Sequence, residues 1–236
     1  MVWKNILALI GTIAIALAWL RACDLLAKKE IISSQLSRKI IHIGTGPIFV
    51  LCWLLFNSHD SARWLAAIVP LLITIQFAMI GLGLIKDDAS VKAMSRSGDR
   101  REILLGPLFY GIIFVLLTII YWKDSPVGLI ALMIMCGGDG FADIIGKRFG
   151  KKIRIPWAKE KSLIGSLAML VGGMIFSTAL VSIFLALNIF SGEWLAYFYK
   201  IVIICLAATV IESLPFKNID NLSVPVVAVI VGELLF

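Results

Sequence analysis

Long apolar runs constrain this chain more than any other feature of its sequence. Six of the runs are 17–25 residues long, and a helix needs about 20 apolar residues to cross the roughly 30 Å hydrocarbon layer of a membrane. The chain is 60% hydrophobic and 16% charged, whereas soluble domains are about half apolar and a quarter charged. The sequence therefore predicts an all-α, polytopic integral membrane helix bundle.

Eight candidate spans follow one another along the chain. They cover residues 5–26, 40–56, 64–85, 104–122, 126–137, 163–187, 194–210 and 224–236. The fifth and the last are short, and each is open to interpretation as a tilted, re-entrant or half-buried helix. We therefore expect one membrane-embedded domain over residues 1–236 with seven or eight transmembrane helices.

The basic residues indicate the orientation of these spans. Four loops carry 17 of the 22 Lys and Arg residues, and they cover residues 27–39, 86–103, 138–162 and 211–223. Basic loops mark the cytoplasmic side, so we expect the polar loops on that side of a cell (inner) membrane. The net charge of +7 then follows from topology and contact with anionic lipids, and it implies no nucleic-acid partner.

Targeting and cysteine patterns add little. The N-terminal residues predict neither a cleavable signal peptide nor an Arg/Ser-rich transit peptide. The four cysteines lie in apolar runs without metal-ligand spacing, which is typical of inert, small hydrophobic side chains.

One polar stretch, residues 137–166, lies between two apolar runs. Asp139 and Asp143 are spaced i, i+4, which puts both carboxylates on one helix face with Lys147 one turn further on. Charged carboxylates at a membrane edge have a high free-energy cost and usually face a polar cavity. Two neighbouring carboxylates favour a cation between them, and Mg²⁺ suits one or two carboxylates plus phosphate oxygens.

A cluster of cations follows the aspartates. The segment GKRFGKK at 146–152 contributes Lys147 and Arg148, and such a group suits the phosphates of a nucleotide triphosphate. Lys161 and Ser162 open the next span, where a helix N-terminus favours anions. The alternative is a basic juxtamembrane loop on anionic lipid, with the aspartates as polar helix ends.

Four ordered blocks resemble the phytol kinase/dolichol kinase family of polyprenol kinases. They are SRKIIH at 37–42, REILLGPLFYG at 101–111, DGFADIIGKRFGKK with KSLIGS at 139–166, and ESLP with DNLSVP at 212–225. The resemblance spans most of the chain. It implies a polytopic enzyme that phosphorylates a lipid alcohol with CTP. Glu160 stands where phytol kinases often have Asn, and Ile219 where many have a second Asp.

Arg38, Lys39 and His42 place two cations and an imidazole at the start of the second span. We expect Arg38 and Lys39 to bind phosphate, with a positive-inside anchor and a buried histidine as the alternative. Glu102 is either a carboxylate favoured by a helix N-terminus or a catalytic or metal-binding group.

Asp220 and Asn221 precede the last span. They are either a helix cap or ligands: Asp220 for a second Mg²⁺ and Asn221 for the nucleotide.

These observations predict phosphorylation of an isoprenoid alcohol, with phytol first, by phosphoryl transfer from CTP. Asp139 and Asp143 would hold Mg²⁺, and Asp139 or Glu102 would accept the alcohol proton. The lipid tail would stay among the spans. Three alternatives remain open: a CTP-dependent diacylglycerol kinase, a phosphatidate cytidylyltransferase-like enzyme, and a transporter, although transporters place their charges near mid-membrane.

Overall fold

The computed structural model of the protein describes residues 2–57, 59, 61–95, 97–150, 153–215 and 219–236. Their contacts divide the chain into two compact units, Met1–Ile119 and Ile120–Phe236, and each is described by itself. The single domain over residues 1–236 stays a prediction.

The first unit is built of helices. They are α1 (Val2–Lys28), α2 (Ser34–Cys52), α3 (Ser61–Leu82), α4 (Asp88–Met94) and α5 (Gly106–Ile120), with short 3₁₀ turns at Trp53–Leu55 and Arg100–Leu104. The helix α1 packs against α2 and α3, and α3 packs against the second 3₁₀ turn. Side-chain caps start the helices: Ser33 accepts from the Leu36 amide before α2, and Asp87 from the Ser90 amide before α4.

The second unit contains α6 (Pro126–Met133), α7 (Asp139–Phe149), α8 (Leu163–Ala186), α9 (Trp194–Glu212) and α10 (Asp220–Leu235). A π-helical segment, Ile134–Gly138, joins α6 to α7, so that Pro126–Phe149 form one continuous helix. A hairpin of β1 (Arg154–Ile155) and β2 (Ala158–Ser162) joins α7 to α8.

The helix Pro126–Phe149 forms the centre of the second unit. All residues from 126 to 138 are buried. The helix α8 packs against the π-helical segment and α7, while α10 packs against α6 and the same segment, and α9 packs on α8 and α10. The two aspartates therefore lie on a helix whose preceding segment, residues 126–138, is fully buried in this unit.

Glycines allow the close approach of α8 to this central helix. A Cβ added at Gly172 would lie 2.9 Å from the Gly137 carbonyl oxygen, and one at Gly146 would lie 3.3 Å from the Gly165 Cα. Burial between helices gains little in lipid, so packing there depends on small residues that let backbones approach.

The structure confirms the all-α polytopic bundle and corrects one boundary. Among the described residues, seven helices are long and apolar enough to cross a membrane, and the only strands are those of the hairpin. The fifth span does not end at residue 137 as predicted but continues to Phe149, because α7 keeps its backbone hydrogen bonding through the polar stretch. The helix α10 has 16 residues and is shorter than the seven.

Candidate functional site

The π-helical segment leads directly into the first aspartate. The Asp139 amide donates to the Cys136 and Ile134 carbonyls, and the second of these bonds is the π-type contact that widens the turn. Such widened turns are common at functional sites. Asp139 is half-buried and Asp143 follows one turn later on the same face, as the spacing predicts.

Asp143 is paired along its own helix. Lys147 Nζ lies 2.8 Å from Asp143 Oδ1 and 2.9 Å from Oδ2, so the ammonium bridges both carboxylate oxygens. Lys147 and Arg148 are exposed, and the Arg148 guanidinium lies 5.4 Å from the Phe149 ring centre. Lys151 and Lys152, the last residues of the predicted cation cluster, lie outside the described residues.

Lys161 ties together three elements of the second unit. Its Nζ lies 3.1 Å from Glu212 Oε1 and 3.3 Å from Asp220 Oδ1, and it donates to the Glu212 backbone carbonyl. These three acceptors match the three donors of an ammonium group. Lys161 is 17% exposed and Glu212 10% exposed, so this cluster joins the ends of β2 and α9 to the start of α10 in a largely water-excluded place.

Asp139 belongs to the electrostatic surroundings of this cluster. Both Asp139 and Asp220 lie within Coulombic range of Glu212, and the buried Ser166 hydroxyl lies 3.4 Å from Glu212 Oε2. The second unit thus gathers the aspartate block, the KSLIGS block and the two C-terminal blocks. Two carboxylates contact Lys161, and Asp139 lies within Coulombic range of one of them, Glu212.

Ser162 has a structural role at the start of α8. It is the N-cap of α8, where its Oγ accepts from the Gly165 amide at 3.1 Å. Ser162 is buried, and a Cβ at Gly150 would collide with its side chain. Asn221 is half-buried in the first turn of α10. The nucleotide contacts of Ser162 and Asn221 stay predictions.

The described carboxylates suit a Mg²⁺ ion that takes part of its ligands from a substrate. No group of three or more His, Cys, Asp or Glu side chains arranged as a metal site occurs among the described residues. Mg²⁺ is commonly bound by one or two carboxylates together with substrate phosphates and water, and Asp139 and Asp143 supply such a pair. The metal roles of Asp139, Asp143 and Asp220 stay predictions.

Two more predicted blocks meet within the first unit. Tyr110, from the block 101–111, donates its hydroxyl to the His42 carbonyl at 2.7 Å, and the two rings lie 4.6 Å apart. Arg38 Nη1 donates to the Ser95 carbonyl at 3.1 Å, which ties α2 to the end of α4. Lys39 follows on α2 and is half-buried.

Glu102 lies in the 3₁₀ turn before α5. Its Oε2 accepts from the Ser97 amide at 3.3 Å, while Asp99 caps the same turn by accepting from the Arg101 amide at 2.9 Å. Glu102 therefore holds the loop that precedes it. Its catalytic role stays a prediction, as do the phosphate roles of Arg38 and Lys39.

Two residues of the Lys161 cluster were missed as site residues by sequence reasoning. Glu212 was noted only for its ESLP block, and Ser166 only as the end of KSLIGS. Spacing along the chain gives no signal for a pair 46 residues apart. The one sequence feature that could have indicated Glu212 is its position as a charged residue at the end of an otherwise apolar helix.

The fold and the site define a polytopic helical membrane protein with a clustered acid–base centre at one end of its spans. No family model matches the sequence, and no solved structure matches it. Several curated proteins are similar to it along most of its length. The chain is 41% identical over 223 residues to the probable phytol kinase, chloroplastic, of Triticum aestivum, covering 94% of this chain and 74% of the relative.

Two further relatives support the same assignment. The chain is 38% identical over 231 residues to the probable phytol kinase 1, chloroplastic, of Glycine max, and 36% identical over 231 residues to the phytol kinase 1, chloroplastic, of Arabidopsis thaliana. Each alignment covers 97% of this chain and 76% of the relative. The chain belongs to the phytol kinase family, which confirms the resemblance found in the sequence blocks.

Proposed function

We propose that this protein transfers the γ-phosphoryl group of CTP to the hydroxyl of an isoprenoid alcohol, with phytol as the first candidate. The observation that carries the proposal is the placement of Asp139 and Asp143 in one membrane-length helix, with Asp139 within Coulombic range of Glu212 in the Lys161–Glu212–Asp220 cluster. Relatives named phytol kinase support the reaction class and the alcohol.

The reaction forms a bond between the alcohol oxygen and the γ-phosphorus and breaks the bond from that phosphorus to the β–γ bridging oxygen. CDP leaves with that oxygen, and the hydroxyl proton passes to a carboxylate. Asp139 is our candidate for this proton, since it is half-buried at the end of the apolar core. Glu102 is the alternative proton acceptor that the sequence predicts.

Positioning and charge neutralisation account for most of the catalysis in phosphoryl transfer. Asp139 and Asp143 would hold Mg²⁺, which when bound neutralises charge on the phosphate oxygens. Asp143 is already bridged by Lys147, so carboxylate and ammonium would approach the same phosphate chain together. Arg148 and Lys147 are exposed and are suited to meet a nucleotide that arrives from solution.

Lys161 would take part by exchanging partners. Its three donors are engaged by Glu212 and Asp220, so binding a phosphate oxygen requires the release of one carboxylate contact. Asp220 is the more exposed of the two partners and would be released first, while Glu212 keeps Lys161 in place.

We place the nucleotide on the cytoplasmic side of a cell membrane, because the basic loops favour that side and CTP is available there. The alcohol reaches the same site from within the bilayer, where its tail stays. The named relatives are described as chloroplastic, so the membrane itself is part of the proposal.

The test is an assay of the purified protein with each of the four nucleoside triphosphates labelled at the γ-phosphorus. Phytol, geranylgeraniol, farnesol, diacylglycerol and phosphatidate are offered in turn. The proposal expects labelled phytyl phosphate and CDP with CTP. Labelled phosphatidate instead would indicate a diacylglycerol kinase, and release of pyrophosphate with phosphatidate as acceptor would indicate a cytidylyltransferase. Transport without nucleotide consumption would indicate a transporter.

A further inference from the structure

The hairpin between α7 and α8 presents large apolar side chains in a segment that is otherwise polar. Trp157, in the turn between β1 and β2, is 62% exposed, and Ile153 is similarly exposed. The other side of the hairpin is packed, since Ile155 and Ala158 are each 4% exposed. The hairpin thus has one side packed in its own unit, while Trp157 at its turn and Ile153 at its base are exposed.

Two exposed cations lie within three positions of Trp157 in the sequence. Arg154 and Lys159 flank the turn, and both are exposed. Arg154 Nη1 also donates to the Glu160 carbonyl at 3.1 Å, which holds the guanidinium across the strands. An exposed indole between basic side chains combines the two features that favour the interfacial layer of a membrane with anionic lipids.

The chain connections keep the hairpin close to the membrane. The helix before it ends at Phe149 and the helix after it begins at Leu163, and both helices are long and apolar enough to cross a membrane. The Leu163 amide donates to the Ile153 carbonyl at 3.2 Å, so the hairpin is fixed to the start of α8. Trp157 precedes that start by six residues, which span at most about 20 Å.

From these observations we infer that the hairpin is a membrane-surface anchor, with Trp157 at its turn and Ile153 at its base in the headgroup layer and Arg154 and Lys159 on anionic phospholipid headgroups. The occupant is the phospholipid surface, because the exposed apolar side chains match its acyl boundary and the cations match its charge. This inference goes beyond the proposed function and does not depend on it.

The anchor has a consequence for the centre described above. The strand β2 runs from the turn directly into Lys161 and Ser162, and these residues lie in the ion-pair cluster and at the cap of α8. A hairpin held in the headgroup layer therefore fixes the depth of Lys161 relative to the membrane surface.

The test uses the full-length protein in nanodiscs of phosphatidylcholine with or without phosphatidylglycerol. Subtracting the tryptophan emission of Trp157→Phe from that of the wild type isolates the signal of Trp157. We expect this signal to be blue-shifted and to be quenched more strongly by lipids brominated close to the headgroup than by lipids brominated near the methyl end. A signal typical of indole in water, unquenched by either lipid, would overturn the inference.

A second pair of variants tests the lipid charge. Near an anionic surface each basic residue contributes about a fivefold preference, so Arg154→Gln with Lys159→Gln should abolish the increase in Trp157 quenching that phosphatidylglycerol produces. The control is Lys28→Gln with Lys29→Gln, which removes the same charge from exposed positions at the end of α1 and should leave that increase unchanged. Equal effects of both pairs, or no effect of phosphatidylglycerol on the wild type, would contradict the anchor. Because fluorescence is the readout, its outcome is independent of whether the protein phosphorylates any alcohol.

Discussion

Lys161 is the residue on which the architecture of the candidate centre depends most. It contacts two carboxylates on different helices and a backbone carbonyl, and it lies in a place that excludes most water. Removing one partner from a buried ion pair leaves an uncompensated charge, which costs more than the pair itself contributes. We therefore expect a single substitution in the cluster to lower the stability of the protein, whereas replacing both charged partners by apolar residues should lower it much less.

The first prediction separates these two effects. Glu212→Gln should lower the free energy of unfolding by about 2–4 kcal/mol, because Lys161 stays buried without its main partner. The double variant Lys161→Met with Glu212→Leu should regain most of that stability but none of the phosphorylation activity. Thermal unfolding in detergent and the kinase assay measure the two properties. Recovery of activity together with stability would show that the cluster has only a structural role.

The carboxylate of Asp87 caps the start of α4. The Ser90 hydroxyl and the Ser90 amide both donate to its carboxylate, at 2.6 and 2.9 Å, and these hydrogen bonds lower the pKa of Asp87 from its ordinary value of 3.8. The helix it caps, α4, leads to Ser95, whose carbonyl accepts from Arg38.

The second prediction follows from the sign of that shift. A carboxyl group with a lowered pKa in the folded protein stabilises it above its ordinary pKa, and this contribution is lost as the pH falls through the lowered value. We expect the amides at the start of α4 to exchange faster with solvent below about pH 3.8, relative to an Asp87→Asn variant, in which exchange should show no such step. Equal pH dependence in both proteins would contradict the cap.

At the scale of elements, the contact between α8 and the central helix determines where the aspartates lie. The approach is so close at Gly172 that a methyl group there would meet the Gly137 carbonyl at 2.9 Å and the Phe141 Cβ at 3.2 Å. Gly137 belongs to the π-helical segment that precedes Asp139. A shift of Gly137 should therefore also move Asp139, which follows it by two residues.

The third prediction is that Gly172→Ala lowers both thermal stability and phosphorylation activity. Gly11→Ala is the matched control, since a methyl group at Gly11 in α1 has only Leu55 nearby, at 4.0 Å. That substitution should be neutral or slightly stabilising, because Ala has the higher helix propensity by about 1 kcal/mol. If both variants kept wild-type stability, the close approach would not control the packing of this unit.

The long helices could be predicted from the sequence, whereas the short helix α4, the β1–β2 hairpin and the end of the fifth helix could not. The apolar runs gave the long helices because lipid leaves the backbone few other structures. The end of the fifth helix was missed because its polar last turns, with Asp139, Asp143 and Lys147, interrupt the hydropathy signal without interrupting the helix. The i, i+4 spacing of the aspartates did predict their common face.

The site was predicted less completely than the fold. Local spacing predicted the Asp139–Asp143–Lys147 series on α7, but Lys161 and Glu212 are 51 residues apart and meet only because α8, α9 and α10 pack together. Ser162 shows the converse case: it was predicted as a phosphate ligand, and its hydroxyl also caps α8, which the sequence alone could not separate from binding.

At the scale of the whole molecule, the distribution of charge predicts which loops share a side of the membrane. Along the chain, the loops 27–39, 86–103, 138–162 and 211–223, which together carry 17 of the 22 basic residues, alternate with loops that carry few. The positive-inside rule places the basic loops in the cytoplasm. Our proposal for the nucleotide depends on this orientation.

The fourth prediction tests it by labelling with a membrane-impermeant maleimide in sealed vesicles of known orientation. Lys86→Cys and Lys159→Cys should react from the cytoplasmic side, and Glu193→Cys only from the other side. All three positions are exposed, and the four native cysteines are buried and should give little background. Reaction of Lys86→Cys and Lys159→Cys from opposite sides would contradict the orientation.

The proposed reaction is tested by the transfer of labelled γ-phosphate from CTP to phytol, measured with the purified wild type and with Asp139→Asn. We predict one phytyl phosphate for each CDP with the wild type, and a loss of at least about a hundredfold with the variant, as expected when one group that stabilises transition-state charge is removed. Asp88→Asn, at an exposed position of α4, should retain full activity. Wild-type turnover by Asp139→Asn, or no transfer from CTP to any prenol by the wild type, would contradict the account.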